Sequence, residues 1–188
     1  MPRPQTNARD KILAIADHLF YQYGVRATGV DTIIAQAQVA KTTLYRYFPS
    51  KDDLVAAYLD TRNQRFSELL EAAIKPHVDN PRQQLLRVFD WLDDLLDSSD
   101  SRGCPFLIVA SEFPESSHPG HQIAIAHKQQ LRNRLVDLAK AAGIASFESL
   151  SDALMVLIDG AFAQRRLYQA HGTRLQPVAT KLIDAYLD

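Results

Sequence analysis

Between residues 41 and 51 the chain places Lys41, Thr42, Thr43, Tyr45, Arg46, Tyr47 and Lys51, with no acid among them. Ammonium and guanidinium groups neutralise phosphates, tyrosine hydroxyls hydrogen-bond to them, and short threonine hydroxyls allow close approach to a base edge. On one helix such a set suits the major groove of double-stranded DNA, with phosphates held on both sides. Lys41, Thr42 and Thr43 are the candidates for base edges. Tyr45, Tyr47 and Lys51 are the candidates for phosphates, with Arg46 in the same contact set and Thr28 as a flanking contact. Scattered on an ordinary surface these would be plain solvent-facing side chains, so the elements that would present them decide the matter.

Thr28 and Asp31 have capping-box spacing, which predicts a helix starting at Gly29 or Val30. Val30, Ile33, Ile34 and Ala37 fall at i, i+3, i+4 and i+7 and form its buried face. Gln36 to Gln38 make a turn, with Val39 as an inward anchor. A second short helix runs from about Ala40 to Tyr47, in which only Leu44 and Phe48 need burial, and Pro49 and Ser50 stop it. Ser50, with Asp52 and Asp53, caps a long helix to Ile74 that Pro76 ends. Upstream, Ile12, Ile15, Leu19, Phe20 and Tyr23 mark a first helix closed by Gly24. The core of this three-helix unit is expected to hold Ile12, Ile15, Leu19, Phe20, Val30, Ile33, Ile34, Leu44 and Phe48. Residues 1 to 6 read as an arm, with Arg3 available to phosphates.

The stretch VAKTTLYRYFPSKDDL resembles the recognition-helix signature of the tetracycline-repressor (TetR) family of bacterial regulators. The match covers Val39, Lys41, Thr43, Leu44, Tyr45, Tyr47, Phe48, Ser50, Lys51 and Leu54. Chain length and the N-terminal place of the motif fit as well. Two positions depart from the pattern. Gln38 stands where the family usually has glycine, and a left-handed backbone there costs a non-glycine residue about 1 kcal/mol. Ala40 replaces the usual serine cap and weakens the helix start. The resemblance implies an all-α fold with a helix-turn-helix DNA-binding domain over residues 1–51 (motif about 29–48). An effector-binding and dimerisation domain then spans 52–188. It also implies that the last two helices pair with their twofold copies as a four-helix bundle, which sets two recognition helices on a pseudo-palindromic operator.

The gross numbers agree with a soluble protein of one or two domains. Net charge is only -1, but the basic residues are unevenly placed. Up to Lys51 there are seven basic against three acidic residues, leaving 14 against 19 in the remainder. A partner that touches only the N-terminal quarter suits that asymmetry. Cys104 is the only cysteine, which excludes an intrachain disulfide. No apolar run approaches a membrane span and no segment reads as a signal peptide, so no membrane partner and a cytoplasmic location are expected.

Further helices are predicted at Pro81–Asp97, Pro105–Phe113, Gln122–Ala142, Phe147–His171 (ended by Gly172) and Pro177–Leu187, about nine in all. A strand is the alternative for the apolar Pro105–Phe113, but it has no partner strand. Leu154, Ile158, Phe162, Leu182 and Tyr186 are the expected dimerisation residues, because the last helices carry apolar groups on more than one face. Phe66, Phe89, Trp91, Phe106, Phe113, Phe162 and Tyr168 either line a cavity for a small-molecule effector or are plain core. The family resemblance favours the cavity. Arg165, Arg166 and Tyr168 suit an anionic ligand, an interface or a helix end. His118 and His121 with Glu112 have zinc-type ligands, but the spacing is loose, and neither metal nor cofactor is expected. His127 and His171 read as helix-surface residues, and Cys104 as a buried corner thiol rather than a redox sensor.

No nucleophile–base pair, paired carboxylates or phosphate loop supports an enzyme. The leading reading is a homodimeric, ligand-responsive repressor of operator DNA. The rival is an architectural or division-site factor on the same fold without an effector, which would ignore metabolites that release the repressor.

Overall fold

The computed structural model describes residues 7–98, 100–168 and 174–187. The expected arm at residues 1–6 with Arg3, and the helix end at His171 and Gly172, lie outside them. The described residues form helices and no strand. In order they are α1 (Ala8–Tyr23), α2 (Val30–Ala37), α3 (Lys41–Tyr47), α4 (Lys51–Ile74), α5 (Pro81–Asp97), α6 (Pro105–Glu112), α7 (Pro119–Ala141), α8 (Phe147–Tyr168) and α9 (Leu175–Ala185). The apolar Pro105–Phe113 segment is thus helical.

The chain divides into two compact units, neither continuous in sequence. The first comprises Met1–Asn63 and Pro105–Ile125; the second comprises Gln64–Cys104 and Ala126–Asp188. The first unit therefore contains more than α1–α3: it takes in the beginning of α4, all of α6 and the start of α7.

In the first unit α1, α2 and α3 pack on one another. Ile12, Leu19, Phe20, Ile33, Leu44 and Phe48 are buried as their spacing predicts, while Ile15, Val30 and Ile34 are half-buried at its edge. Leu54, Val55, Tyr58 and Leu59 of α4 are also buried, and Tyr58 meets Phe20 of α1 edge-on at 5.6 Å between ring centres. Arg62 grips Asp17 of α1 through two hydrogen bonds of 2.6 and 2.9 Å, and its guanidinium lies 4.0 Å over the Tyr21 ring. Asn7 caps α1 by accepting the Arg9 N–H. Ser50 and Asp53 form a reciprocal box at the start of α4, at 2.9 and 3.1 Å.

The Thr28–Asp31 box is not formed. Gly29 is the N-cap of α2 and offers no side chain, while the Thr28 hydroxyl turns inward to the carbonyls of Gly24 (2.7 Å) and Leu19 (3.3 Å). Capping spacing alone could not show that the closure of α1 competes for this hydroxyl. Gln38 adopts the left-handed conformation its position demands, φ 53° and ψ 48°, and Ala40 is an N-cap without a side-chain bond. In the second unit α9 packs on α5 and α8. α7 starts at Pro119, three residues before Gln122, and α9 at Leu175, two before Pro177. Proline at or near a helix start is favoured there because the missing N–H has no partner to lose.

Both departures from ideal turn chemistry should be correctable. Ala40→Ser supplies the absent cap and should add roughly 0.5–2 kcal/mol of stability. Gln38→Gly removes left-handed strain of about 1 kcal/mol, less the entropy a glycine loses on folding, for a net gain of about 0.5 kcal/mol. Urea unfolding followed by circular dichroism measures both. An unchanged midpoint for Ala40→Ser would show that the first turn of α3 is satisfied by other means.

Candidate nucleic-acid interface

α3 has seven residues, and its geometry sorts them into faces. Leu44 and Phe48, four apart, point into the core and are buried. Two other rows four apart, Lys41 with Tyr45 and Thr42 with Arg46, point away from it, and all four residues are exposed. Thr43 and Tyr47 flank the row and are half-buried. The sequence-predicted contact residues on α3 therefore form one outward face, with no carboxylate on the helix.

Lys41 stands 3.6 Å from Asp31 in the first turn of α2, with both side chains largely in water. Such a pair contributes little to stability and leaves the ammonium available to a stronger anion. The Arg46 guanidinium lies 5.0 Å over the Tyr47 ring, within cation–π range. The first turn of α3 carries Lys41, Thr42 and Thr43, and a helix N-terminus adds its own positive field.

Two predicted contacts have other duties. Thr28 is buried, and its hydroxyl is spent on Gly24 and Leu19, so it presents no donor outward. The Lys51 ammonium donates to the Val25 carbonyl at 2.7 Å. Partial burial lowers the Lys51 pKa, opposed by the nearby Glu112 and Asp52 carboxylates. An ammonium has three N–H groups, so the bond to Val25 fixes Lys51 without exhausting it.

The seven aromatic candidates do not share one place. Phe66 and Trp91 meet edge-on at 4.9 Å in the second unit, and His127 joins Phe66 at 5.0 Å. Phe89 and Phe162 are buried in the same unit, while Tyr168 is 67% exposed. Phe106 and Phe113 belong to the first unit. His127 is not a surface residue: it is buried, and desolvation, with help from the Lys128 charge, pushes its pKa down to about 3. The signal was present in the sequence, because Ala124, His127 and Leu131 fall at i, i+3 and i+7 and all three are buried.

Arg165 donates to the carbonyl of Ser98, which ends α5, and Arg166 to the loop carbonyl of Arg102. Cys104 is buried, as a corner thiol should be. Among the described residues no three His, Cys, Asp or Glu side chains are grouped to hold a metal ion. The His118 Nδ1 accepts the Gly120 N–H and the His121 ring nitrogen faces the Phe113 carbonyl. Of the expected dimerisation residues, Leu154, Ile158 and Phe162 are buried within the protomer, and Leu182 and Tyr186 are half-buried. A broad apolar stripe does not say which of its sides faces the protomer's own core. The side left open carries Val156 and Leu167 on α8 and Val178 on α9. No described helix is long and apolar enough to cross a membrane.

Residues 12–58, which span α1 to the first half of α4, match the family model of bacterial regulatory proteins of the tetR family. A solved TetR-family transcriptional regulator from Streptomyces coelicolor is 31% identical, with 96% of this chain and 92% of that one superimposed at a TM-score of 0.83. An HTH-type transcriptional repressor of Mycobacterium tuberculosis is 27% identical over 70% of this chain and 73% of its own length. The HTH-type transcriptional activator FasR of Mycolicibacterium smegmatis is 28% identical over 65% of this chain and 55% of its own. The family model falls on the elements that build the outward face of α3, and the likeness to the Streptomyces coelicolor regulator extends over nearly the whole chain. The chain belongs to the TetR family of DNA-binding transcriptional regulators.

Proposed function

We propose that the protein is a cytoplasmic, homodimeric repressor that binds a pseudo-palindromic operator through α3 and releases it when a small molecule binds the second unit. The observation that carries the DNA contact is the outward face of Lys41, Thr42, Tyr45 and Arg46, flanked by Thr43 and Tyr47. Lys51, with donors to spare, is a further phosphate contact at the start of α4. A Mycobacterium tuberculosis repressor and the activator FasR are similarly identical to the chain, and the reading as a repressor follows the tetracycline-repressor resemblance.

The homodimer is supported by apolar side chains with no use inside the protomer. Val156, Gly160, Ala163 and Leu167 fall at i, i+4, i+7 and i+11 along α8, and all are exposed. Val156 is 74% and Leu167 72% exposed. A Cβ at Gly160 would meet nothing within 4 Å, so a second helix can approach the backbone closely there. A second copy of the chain is the partner that a twofold operator requires. For the effector, Phe66, Trp91 and the neutral His127 offer an uncharged aromatic cluster in the second unit, where Phe89 and Phe162 are also buried. Effector and operator affinities must then be linked reciprocally.

Operator binding should weaken steeply with salt. Arg46→Ala should lower the slope of log K against log salt by about 0.9, the signature of one lost phosphate contact. A wild-type slope would show that Arg46 does not touch phosphate.

Thr42→Ala should change which sequence is preferred, because a base contact discriminates by roughly 1–3 kcal/mol. Binding to a library of single-base operator variants, with Thr43→Ala run beside it, reads this out. Equal weakening of every variant would leave both threonines as positioning groups only.

Val156→Glu should convert a dimer into monomers in sedimentation at micromolar concentration and abolish tight binding to the full operator. A Val156→Glu protein that sediments as the wild-type dimer would move the interface off this face of α8.

A further inference from the structure

The loop that hangs α2 and α3 from α1, residues 24–29, is held from outside the three-helix set. We propose that Glu112, the last residue of α6, is the positioning residue for that loop and so for the DNA-contacting helix pair. Gly24 adopts φ 91°, which side-chain-bearing residues rarely reach, and a Cβ there would stand 2.5 Å from the Glu112 Oε1. The glycine leaves room for the carboxylate. Glu112 Oε2 accepts the Arg26 backbone N–H at 2.6 Å, and the Glu112 carbonyl accepts the Arg26 Nε–H at 2.7 Å. The Arg26 guanidinium also lies 4.9 Å over the Phe113 ring.

The corner that carries Glu112 is itself braced within the first unit. Phe113 stacks flat on His118 at 4.0 Å and 10° between the rings. The Gly120 N–H fixes the His118 Nδ1, while the His118 Nε2 lies 3.5 Å from Asp52 near the start of α4. Beside Asp52, Lys51 holds the Val25 carbonyl and stands near enough to Glu112 to feel its charge. Val25 and Arg26 are thus each held by a group beyond α3, and Gly24 leaves room for one of those groups. Within the chain, α6 follows directly from Cys104 and α7 continues past Ile125, both in the second unit's sequence.

The proposal rests on α3 being the DNA-contacting helix, and wild-type binding to a DNA fragment selected from genomic sequence controls that premise. In the full-length protein, Glu112→Ala should weaken binding about tenfold or more, as expected for loss of a charge-assisted bond to a backbone N–H. Its salt slope should stay at the wild-type value, since no phosphate contact is lost. Glu112→Gln, which keeps an oxygen acceptor for the Arg26 N–H, should bind more tightly than Glu112→Ala. In Glu112→Ala the Arg26 amide should exchange hydrogen faster while the α1 amides keep wild-type rates. Failure of the wild type to bind DNA removes the premise. A binding-competent wild type with Glu112→Ala at the same affinity overturns the role given to Glu112. Should Glu112→Ala not fold, Glu112→Asp decides: its carboxylate is set back by one methylene, and wild-type affinity with it overturns the proposal equally.

Discussion

A helix of seven residues does not hold itself together in water, because nucleation costs more than two turns of hydrogen bonds return. α3 exists because Leu44, and Phe48 just beyond it, are buried against the rest of the three-helix set. That one constraint fixes the rotation of the helix about its axis. With Leu44 and Phe48 pinned inward, Lys41, Thr42, Tyr45 and Arg46 have nowhere to point but outward. The surface proposed to face DNA is the complement of the buried one, and its chemistry is set by which residue types the sequence leaves there. Loss of Leu44 packing would therefore remove that surface without touching any group proposed to meet DNA.

The same dependence of an exposed face on a buried contact recurs in the second unit. α9 begins at Leu175, and its N-cap Arg174 provides no side-chain bond. The buried carboxylate of Asp93 on α5 does this instead, accepting the N–H groups of Leu175 at 2.7 Å and Gln176 at 3.0 Å. A negative charge at a helix N-terminus is stabilised by the helix dipole as well as by the two bonds. The register of α9, and so the side on which Val178 is exposed, depends on a residue some eighty positions earlier in the chain.

Much of this was legible in the sequence. The helix pair and the cap that begins at Ser50 follow from local spacing, the left-handed turn at Gln38 follows from the family resemblance, and the structure forms each. What was hidden is whatever depends on distant partners. Thr28 has the spacing of a cap, but its hydroxyl is claimed by carbonyls of α1. Lys51 is read as a phosphate contact, and nothing local shows that the Val25 carbonyl also takes one of its donors. Leu154, Ile158 and Phe162 have the apolar periodicity of an interface, but burial inside the protomer satisfies it first. Glu112 lies 86 residues from its partner Arg26, and nothing in either local sequence links them. Local chemistry can be read from one chain; competition between two possible partners for one side chain cannot.

The central claim, that α3 enters a major groove, is tested most directly by methylation interference on a DNA fragment the protein selects. Dimethyl sulfate marks guanine N7, which faces only the major groove. The account predicts two clusters of interfering guanines, related by a twofold axis and one or more helical turns apart. Tight binding untouched by N7 methylation anywhere in a guanine-containing site would contradict it.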